Sequence, residues 1–370
     1  MSVDTYDIDI RAIAYYLPQF HPIPENDEWW GKGFTEWNNV TRAHSNFSGH
    51  YQPHLPADLG FYDLRLPEIR EQQANLARQY GIHGFCYYHY WFNGRLILNR
   101  PLQEVLSSGK PDFPFCMCWA NENWSRRWDG GDNEILLEQH YSSEDDTEFI
   151  KHLLPYFHDK RYIRVLGKPL LLIYRPDLLP NPAATAARWN AICRDNGLPG
   201  VYLAAGPTRE RLSPVDLGFD AAFEFPPHGA GFGKIDAATL PGISPSFSGN
   251  VLDYRAYALQ SLNEEAPGYP LHKAVMTSWD NSARRQHDGT IFLNSYPEYY
   301  EKWLRDSVEY VKRNNPPGER LVFINAWNEW AEGAHLEPDQ RFGRRYLEAT
   351  RRALMQKDNG VLSPLSAGRF

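Results

Sequence analysis

The sequence predicts an α/β fold, a single (β/α)8 TIM barrel with long loops after strands 1 and 6. Three observations predict it. Eight short apolar runs recur along the 370 residues, amphipathic stretches lie between them, and no glycine fingerprint of the doubly wound nucleotide-binding kind follows the first run. No repeat, low-complexity tract or Pro/Ser linker divides the chain, so one barrel domain over 1–358 with a C-terminal tail at 359–370 is expected.

The first strand falls at 11–17. The stretch 18–65 behind it is far longer than a barrel connection needs and holds Trp29, Trp30, Phe34, Trp37, Phe47 and Tyr51, a composition foreign to disorder. It is expected to fold over the barrel mouth. Leu66, Ile69, Gln73, Leu76 and Tyr80 repeat at helical spacing and stop at Gly81. Strands 2, 3 and 4 follow at 84–90, 113–119 and 169–174. Asn181-Pro182 opens a helix that closes at Gly197, in the N-cap, N1 and C′ pattern. Strands 5 and 6 lie at 201–205 and 221–225, and the second long connection, 226–270, has room for a helix around 253–262. Strand 7 is expected at 274–278. The stripe Tyr300, Leu304, Ser307, Val308 and Val311 precedes strand 8 at 321–326, and Phe342, Tyr346, Leu347 and Leu354 mark a last helix.

Apolar residues make up 42% of the chain and charged ones 23%, which supplies a core and excludes wholesale disorder. The net charge of −8 leaves no basic surplus for phosphates, so nucleic acid is not an expected partner and an uncharged substrate fits better. Cys86, Cys116, Cys118 and Cys193 form no CxxC pair and read as reduced, buried thiols. The start MSVDTYDIDI lacks a basic-then-apolar leader, and no 18 uncharged apolar residues run together, so membrane insertion is not expected and the location reads as cytoplasmic. The sequence sets no oligomeric state. Aromatic residues reach 14%, and many sit in polar, loop-like stretches where a core does not need them. A flat ligand is implied.

In a (β/α)8 barrel the chemistry gathers at the C-terminal ends of the strands. Those ends carry Gln19 and His21, then His89, Tyr90 and Trp91, then Asn121, Asn123 and Trp124, then Trp279 and Asp280, and finally Trp327. Trp37 joins them from the first long loop. Aromatic rings, amides and carboxylates without a Ser or Cys nucleophile elbow suit a sugar, whose C–H faces lie on rings and whose hydroxyls need paired donors and acceptors. His89 and Trp91, like Asn121 and Asn123, are two apart and share a side wherever the backbone is extended. All twelve residues are expected to bind substrate.

Glu329 and Glu332 follow strand 8 directly. At i and i+3 of a helical turn their Cβ atoms lie ~5–6 Å apart on one side, and the first charge raises the pKa of the second carboxyl. The result is one proton donor and one acceptor, the pairing that glycoside cleavage needs. Asp7-Ile8-Asp9 reads as a solvated terminus, and the glycine run at 229–233 has neither dinucleotide nor Walker spacing. No cofactor and no metal are expected.

Asn328-Glu329-Trp330-x-Glu332-Gly333 with Glu337-Pro338 behind it resembles the catalytic signature of glycoside hydrolase family 99, the endo-α-mannosidases and endo-α-mannanases. Tyr15-Tyr16-Leu17-Pro18-Gln19-Phe20-His21, Gly84-Phe85-Cys86-Tyr87-Tyr88-His89-Tyr90-Trp91 and Trp119-Ala120-Asn121-Glu122-Asn123-Trp124 resemble the WbsX-type proteins. These have a family-99-like domain and are often described as glycosyltransferases of polysaccharide biosynthesis. The likeness runs from about Arg11 to Tyr346. Family 99 enzymes are retaining (β/α)8 hydrolases in which the first Glu deprotonates the sugar 2-hydroxyl to close a 1,2-anhydro intermediate while the second Glu is the acid/base. The resemblance thus implies that Glu329 is the base and Glu332 the acid/base. Ala331 stands where family 99 often has His, so the reaction class carries over better than the substrate.

The expected function is a retaining glycoside hydrolase, or a transglycosidase, acting on a bacterial polysaccharide or its oligosaccharide. The alternatives are a glycosyltransferase of O-antigen, lipopolysaccharide or capsular polysaccharide biosynthesis, which needs a diphosphate site, and a non-catalytic carbohydrate-binding protein, which does not need two carboxylates at one point.

Overall fold

Eight parallel strands close on themselves. They are β1 (Arg11–Tyr16), β2 (Gly84–Phe92), β3 (Phe115–Trp119), β4 (Lys168–Ile173), β5 (Tyr202–Ala205), β6 (Ala221–Phe223), β7 (Leu271–Met276) and β8 (Leu321–Asn325). Each pairs with its sequence neighbours, and β1 closes the ring, with Ile13 opposite Gly84 on one side and Arg11 opposite Leu321 on the other. The computed structural model describes residues 9–126, 134–207, 213–229, 231–262 and 265–355. The expected tail at 359–370, Asp7 and Ile8 of the early acidic motif, and Ala230 of the glycine run lie outside the described residues.

The strands read as apolar runs because a parallel barrel buries both of their faces. All of β3 is buried, and Tyr15 fills the interior by stacking on Phe323 at 5.4 Å and on Tyr88 at 5.9 Å. Gly84 opens β2 because a Cβ there would meet the Pro114 carbonyl oxygen at 2.5 Å. β7 begins earlier than its apolar run suggests, since Leu271 and His272 pair with Ala222 and Phe223 of β6.

The outer layer is α3 (Pro67–Gln79), α4 (Arg100–Ser108), α5 (Ser143–His158), α6 (Pro182–Asp195), α7 (Tyr254–Leu262), α9 (Pro297–Asn314) and α10 (Arg345–Leu354). α6 starts where the caps place it: the Asn181 side chain accepts the Ala184 N–H at 3.0 Å and Pro182 occupies the first turn. All four cysteines are buried free thiols. Among the described residues no helix is long and apolar enough to cross a membrane.

Both long connections are ordered where described. The first holds α1 (Pro24–Trp30) and α2 (Glu36–Arg42), and α2 packs against α8 (Ser282–Arg285) and the turn Trp330–Glu332 at the barrel mouth. The second contributes Lys234–Ile235 and Asn250–Asp253 to a small three-stranded sheet completed by Thr290–Leu293. These segments make walls above the strand ends.

Candidate active site

The chain leaving β8 is knitted to the end of β1. The Trp327 N–H donates to the Tyr15 carbonyl at 2.8 Å, while the Asn328 side chain accepts the Leu17 N–H at 2.7 Å and donates to the Leu17 carbonyl at 3.0 Å. Asn328 and Glu329 then pair with His335 and Ala334 across a tight hairpin whose tip is the single helical turn Trp330–Glu332. Gly333 takes φ +61°, and a side chain there would also crowd Asp280 at 3.1 Å. Because the turn is of the three-residue kind, positions i and i+3 eclipse, and Glu329 and Glu332 face the same space.

Between them sits Arg284 of α8. Its Nη2 donates to Glu329 Oε2 at 3.0 Å, its Nη1 to Glu332 Oε1 at 2.5 Å and its Nε to Glu36 Oε2 at 3.2 Å. All four side chains are buried. Since the two terminal nitrogens share one carbon, the engaged oxygens of Glu329 and Glu332 are no more than roughly 8 Å apart. Burial pushes the Glu329 carboxyl well above the usual carboxylate range, the neighbouring Glu332 pushes it further, and Arg284 opposes both. Burial also raises Glu332, against the pull of the same guanidinium. The pair therefore holds protons at pH values where free glutamates are ionised.

The carboxylates form the floor of a cavity of about 670 Å³ at the C-terminal end of the strands. Trp30 and Phe34 reach it from the loop after β1, Tyr88 and Tyr90 from β2, and Tyr174, Phe225 and Trp279 from later strand ends. Trp124 lies edge-on to Tyr90, with centroids 5.0 Å apart. The structure thus brings Gln19, Tyr90, Asn123, Trp124, Trp279, Glu329 and Glu332 together around one space.

The other sequence candidates lie elsewhere. His89 and Trp91 share a side as expected, but that side faces the helices: both rings stack on His152 of α5, at 5.3 and 5.1 Å, and the Trp91 indole donates to Asp145 at 2.8 Å. The inward phase of β2 belongs to Tyr88 and Tyr90. Asn121 is fully buried and braces β4, its side chain accepting the Arg175 N–H and donating to the Arg175 carbonyl, both at 2.8 Å. Trp327 is a core ring against Phe85 at 5.0 Å. Trp37 packs on Phe20 and Trp330 and donates to the Tyr62 carbonyl at 2.8 Å. His21 is buried beneath the first loop, where burial lowers its pKa to about 4, and does not line the cavity. Asp280 turns away from the cavity to His50, 2.6 Å from its Nε2, and accepts the Ser282 N–H, so it braces the start of α8.

Sequence reasoning missed Glu36, Arg284 and Tyr88. Glu36 and Arg284 come from two separate mouth loops, and neither sits in a motif with a chemical spacing. Tyr88 shares the strand phase of Tyr90 and lies just before the strand-end residues the sequence singled out.

Two buried carboxyl groups held by one guanidinium in a ring-lined cavity can exchange protons at two nearby points of one ligand. The family described as glycosyltransferase WbsX matches residues 12–350. A protein named WxcX from Xanthomonas campestris pv. campestris, described as uncharacterized, is 51% identical over 342 residues, and its counterpart from a second strain is 50% identical. Those matches cover 92% of this chain but 49% of the relative, so the chain spans about half the length of the curated relatives it matches. Among solved structures, the glycoside hydrolase family 99 endo-alpha-mannosidase from Bacteroides thetaiotaomicron superposes with TM-score 0.57 at 16% identity, covering 94% of this chain and 97% of that one. A glycoside hydrolase-like protein superposes with TM-score 0.61 at 13% identity, covering 95% of each chain. At these identities the likeness establishes the barrel fold.

Proposed function

The chain belongs to the glycosyltransferase WbsX family, and from that premise we propose that it is a retaining glycoside hydrolase, or a transglycosidase, acting on a bacterial polysaccharide or its oligosaccharide. One observation carries the proposal: Glu329 and Glu332 meet on a single guanidinium at the floor of an aromatic-walled cavity at the C-terminal end of the barrel.

The chemistry follows the family 99 resemblance. Glu329, as carboxylate, takes the proton of the sugar 2-hydroxyl, and O2 attacks C1. The bond from C1 to the leaving oxygen breaks, and that oxygen takes the proton of Glu332. In the second half, Glu332 removes a proton from water, the water oxygen bonds to C1, and the C1–O2 bond opens as O2 recovers its proton from Glu329. Two inversions give net retention. If the incoming hydroxyl belongs to another sugar, the same steps make a transglycosidase. Arg284 holds both carboxyl groups in place and lowers the cost of their charge.

The family description favours a second reading, a glycosyltransferase that takes its sugar from a nucleoside-diphosphate sugar and releases the nucleoside diphosphate. One experiment separates the two. The purified chain is incubated with a panel of α-linked manno-oligosaccharides and bacterial polysaccharides, with and without nucleotide sugars. Cleavage without a nucleotide sugar, lost in Glu329→Gln and Glu332→Gln, supports the hydrolase. Product formed only when a nucleotide sugar is supplied hands the case to the transferase.

A further inference from the structure

We infer that His54, His335 and Asp339 form a binding site for one divalent transition-metal ion, with Zn²⁺ the best fit, behind the hairpin that carries Glu329 and Glu332. His54 belongs to the loop after β1, and His335 and Asp339 to the segment after β8. His335 and Asp339 are four residues apart, but His54 lies 281 residues before His335, and that separation hides the set in the sequence.

Donor atoms of the three side chains all lie within 4.8 Å of one another, and all three residues are buried. His54 Nδ1 is 2.9 Å from His335 Nε2, and His335 Nε2 is 4.0 Å from Asp339 Oδ2. A tetrahedral zinc with ligands at ~2.0–2.1 Å needs donors about 3.3 Å apart, between those two separations. The third separation, His54 to Asp339, is no more than 4.8 Å, so binding draws Asp339 inward by at most about 1.5 Å.

The surroundings orient the donors as a ligand shell requires. His335 Nδ1 lies 3.0 Å from the Glu337 carbonyl oxygen, which can only accept, so the ring proton is on Nδ1 and the Nε2 lone pair faces the cluster. Asp339 is fixed by the Tyr51 hydroxyl, which donates at 3.1 Å, and by the Phe342 N–H. On binding, the His54 proton moves from Nδ1 to Nε2 and frees the Nδ1 lone pair. All three residues also line a second cavity of about 240 Å³, which gives the ion an entry path and a water molecule a place as fourth ligand.

The ion would act on the first cavity by position. His335 pairs directly with Asn328, its neighbour Ala334 pairs with Glu329, and its ring stacks on Trp330 at 3.8 Å. An ion joining His335 to His54 ties the covering loop to the turn that presents the carboxylates. Metal binding at this site does not depend on the sugar chemistry.

The test uses the full chain stripped with EDTA and titrated with ZnCl₂ by calorimetry, and with CoCl₂ by visible absorption. The expected result is one equivalent of Zn²⁺, the intense visible bands of a four-coordinate Co²⁺ site, and at least about a tenfold weaker affinity in His54→Gln and Asp339→Asn. Wild-type protein that binds no stoichiometric Zn²⁺, or folded variants that bind it as tightly, would overturn the inference. Should a variant not fold, X-ray absorption at the zinc edge of the wild-type complex decides: two imidazoles with oxygen donors support the site, and any other ligand shell refutes it.

Discussion

Arg284 is the residue on which the charge balance of the main cavity turns. One guanidinium faces Glu36, Glu329 and Glu332, all buried, so full ionisation would leave an excess of negative charge away from water. Removing the cation leaves that charge uncompensated. Arg284→Met is expected to lower unfolding free energy by about 3–5 kcal/mol at pH 8, measured by urea denaturation, and a stability equal to wild type would mean that the guanidinium is not the counter-charge. The glutamates carry the opposite prediction for stability. Folding raises the pKa of Glu329, so the native state binds its proton more tightly than the unfolded chain does, and native stability falls as pH rises above the ordinary carboxylate range. Glu329→Gln should therefore melt higher than wild type at pH 8, with the gain fading towards pH 4.5, while turnover falls by ~10²–10⁴-fold or more. Glu332→Gln should lose turnover alike but recover with a leaving group of low pKa, which needs no protonation; equal rescue of both variants would show that the roles are shared. Arg284 is closer to Glu332 than to Glu329, which favours the proton on Glu329 before a sugar binds. The proposed chemistry starts from the reverse arrangement, so sugar binding must move the proton.

At the scale of the element, a single buried carboxyl joins the pieces that carry the site. Glu337 accepts from Gln73 of α3 at 2.7 Å, from the Tyr62 hydroxyl at 2.8 Å and from the Trp330 indole at 2.7 Å. Burial nevertheless pushes its pKa up to about 7, because these three donors only partly replace water. The raised value means that stability is complete below about pH 4.5 and is lost as pH rises to 7, by about 3 kcal/mol. Glu337→Gln should flatten the dependence of melting temperature on pH over that interval, measured by calorimetry, whereas an unchanged slope would assign it to other groups. Gln73 was visible in the sequence as a polar break in the apolar stripe of α3, yet a stripe cannot say what the break meets. Strand β2 shows the same limit. Its alternation pairs His89 with Trp91 and Tyr88 with Tyr90, but period two fixes only which residues share a face. Which face turns inward depended on His152 and Asp145 of α5 capturing the outer pair.

At the scale of the molecule, the barrel was legible because parallel strands buried on both faces leave unbroken apolar runs. The approach of Glu329 and Glu332 was legible because they lie four and seven residues beyond the end of β8, three apart on one short turn. Glu36 and Arg284 were not, since they meet only when loops 248 residues apart close over the same mouth. That closure divides the tryptophans into two classes that respond oppositely to truncation. Trp124 and Trp279 are half-buried and border the cavity, whereas Trp327 is fully buried in the core. If the cavity takes an oligosaccharide, each lining ring contributes a stacking contact of ~0.5–1.5 kcal/mol. Trp124→Ala and Trp279→Ala should then raise KM by up to about tenfold with kcat and melting temperature little changed. Trp327→Ala should instead cost about 3–5 kcal/mol of stability while its folded fraction keeps a normal KM. Steady-state kinetics on the oligosaccharide, paired with thermal melts of the same preparations, measures both sides of the contrast. Lower melting temperatures and unaltered KM in the Trp124 and Trp279 variants would make these rings loop packing rather than a sugar platform, and would remove the aromatic wall from the proposed substrate site.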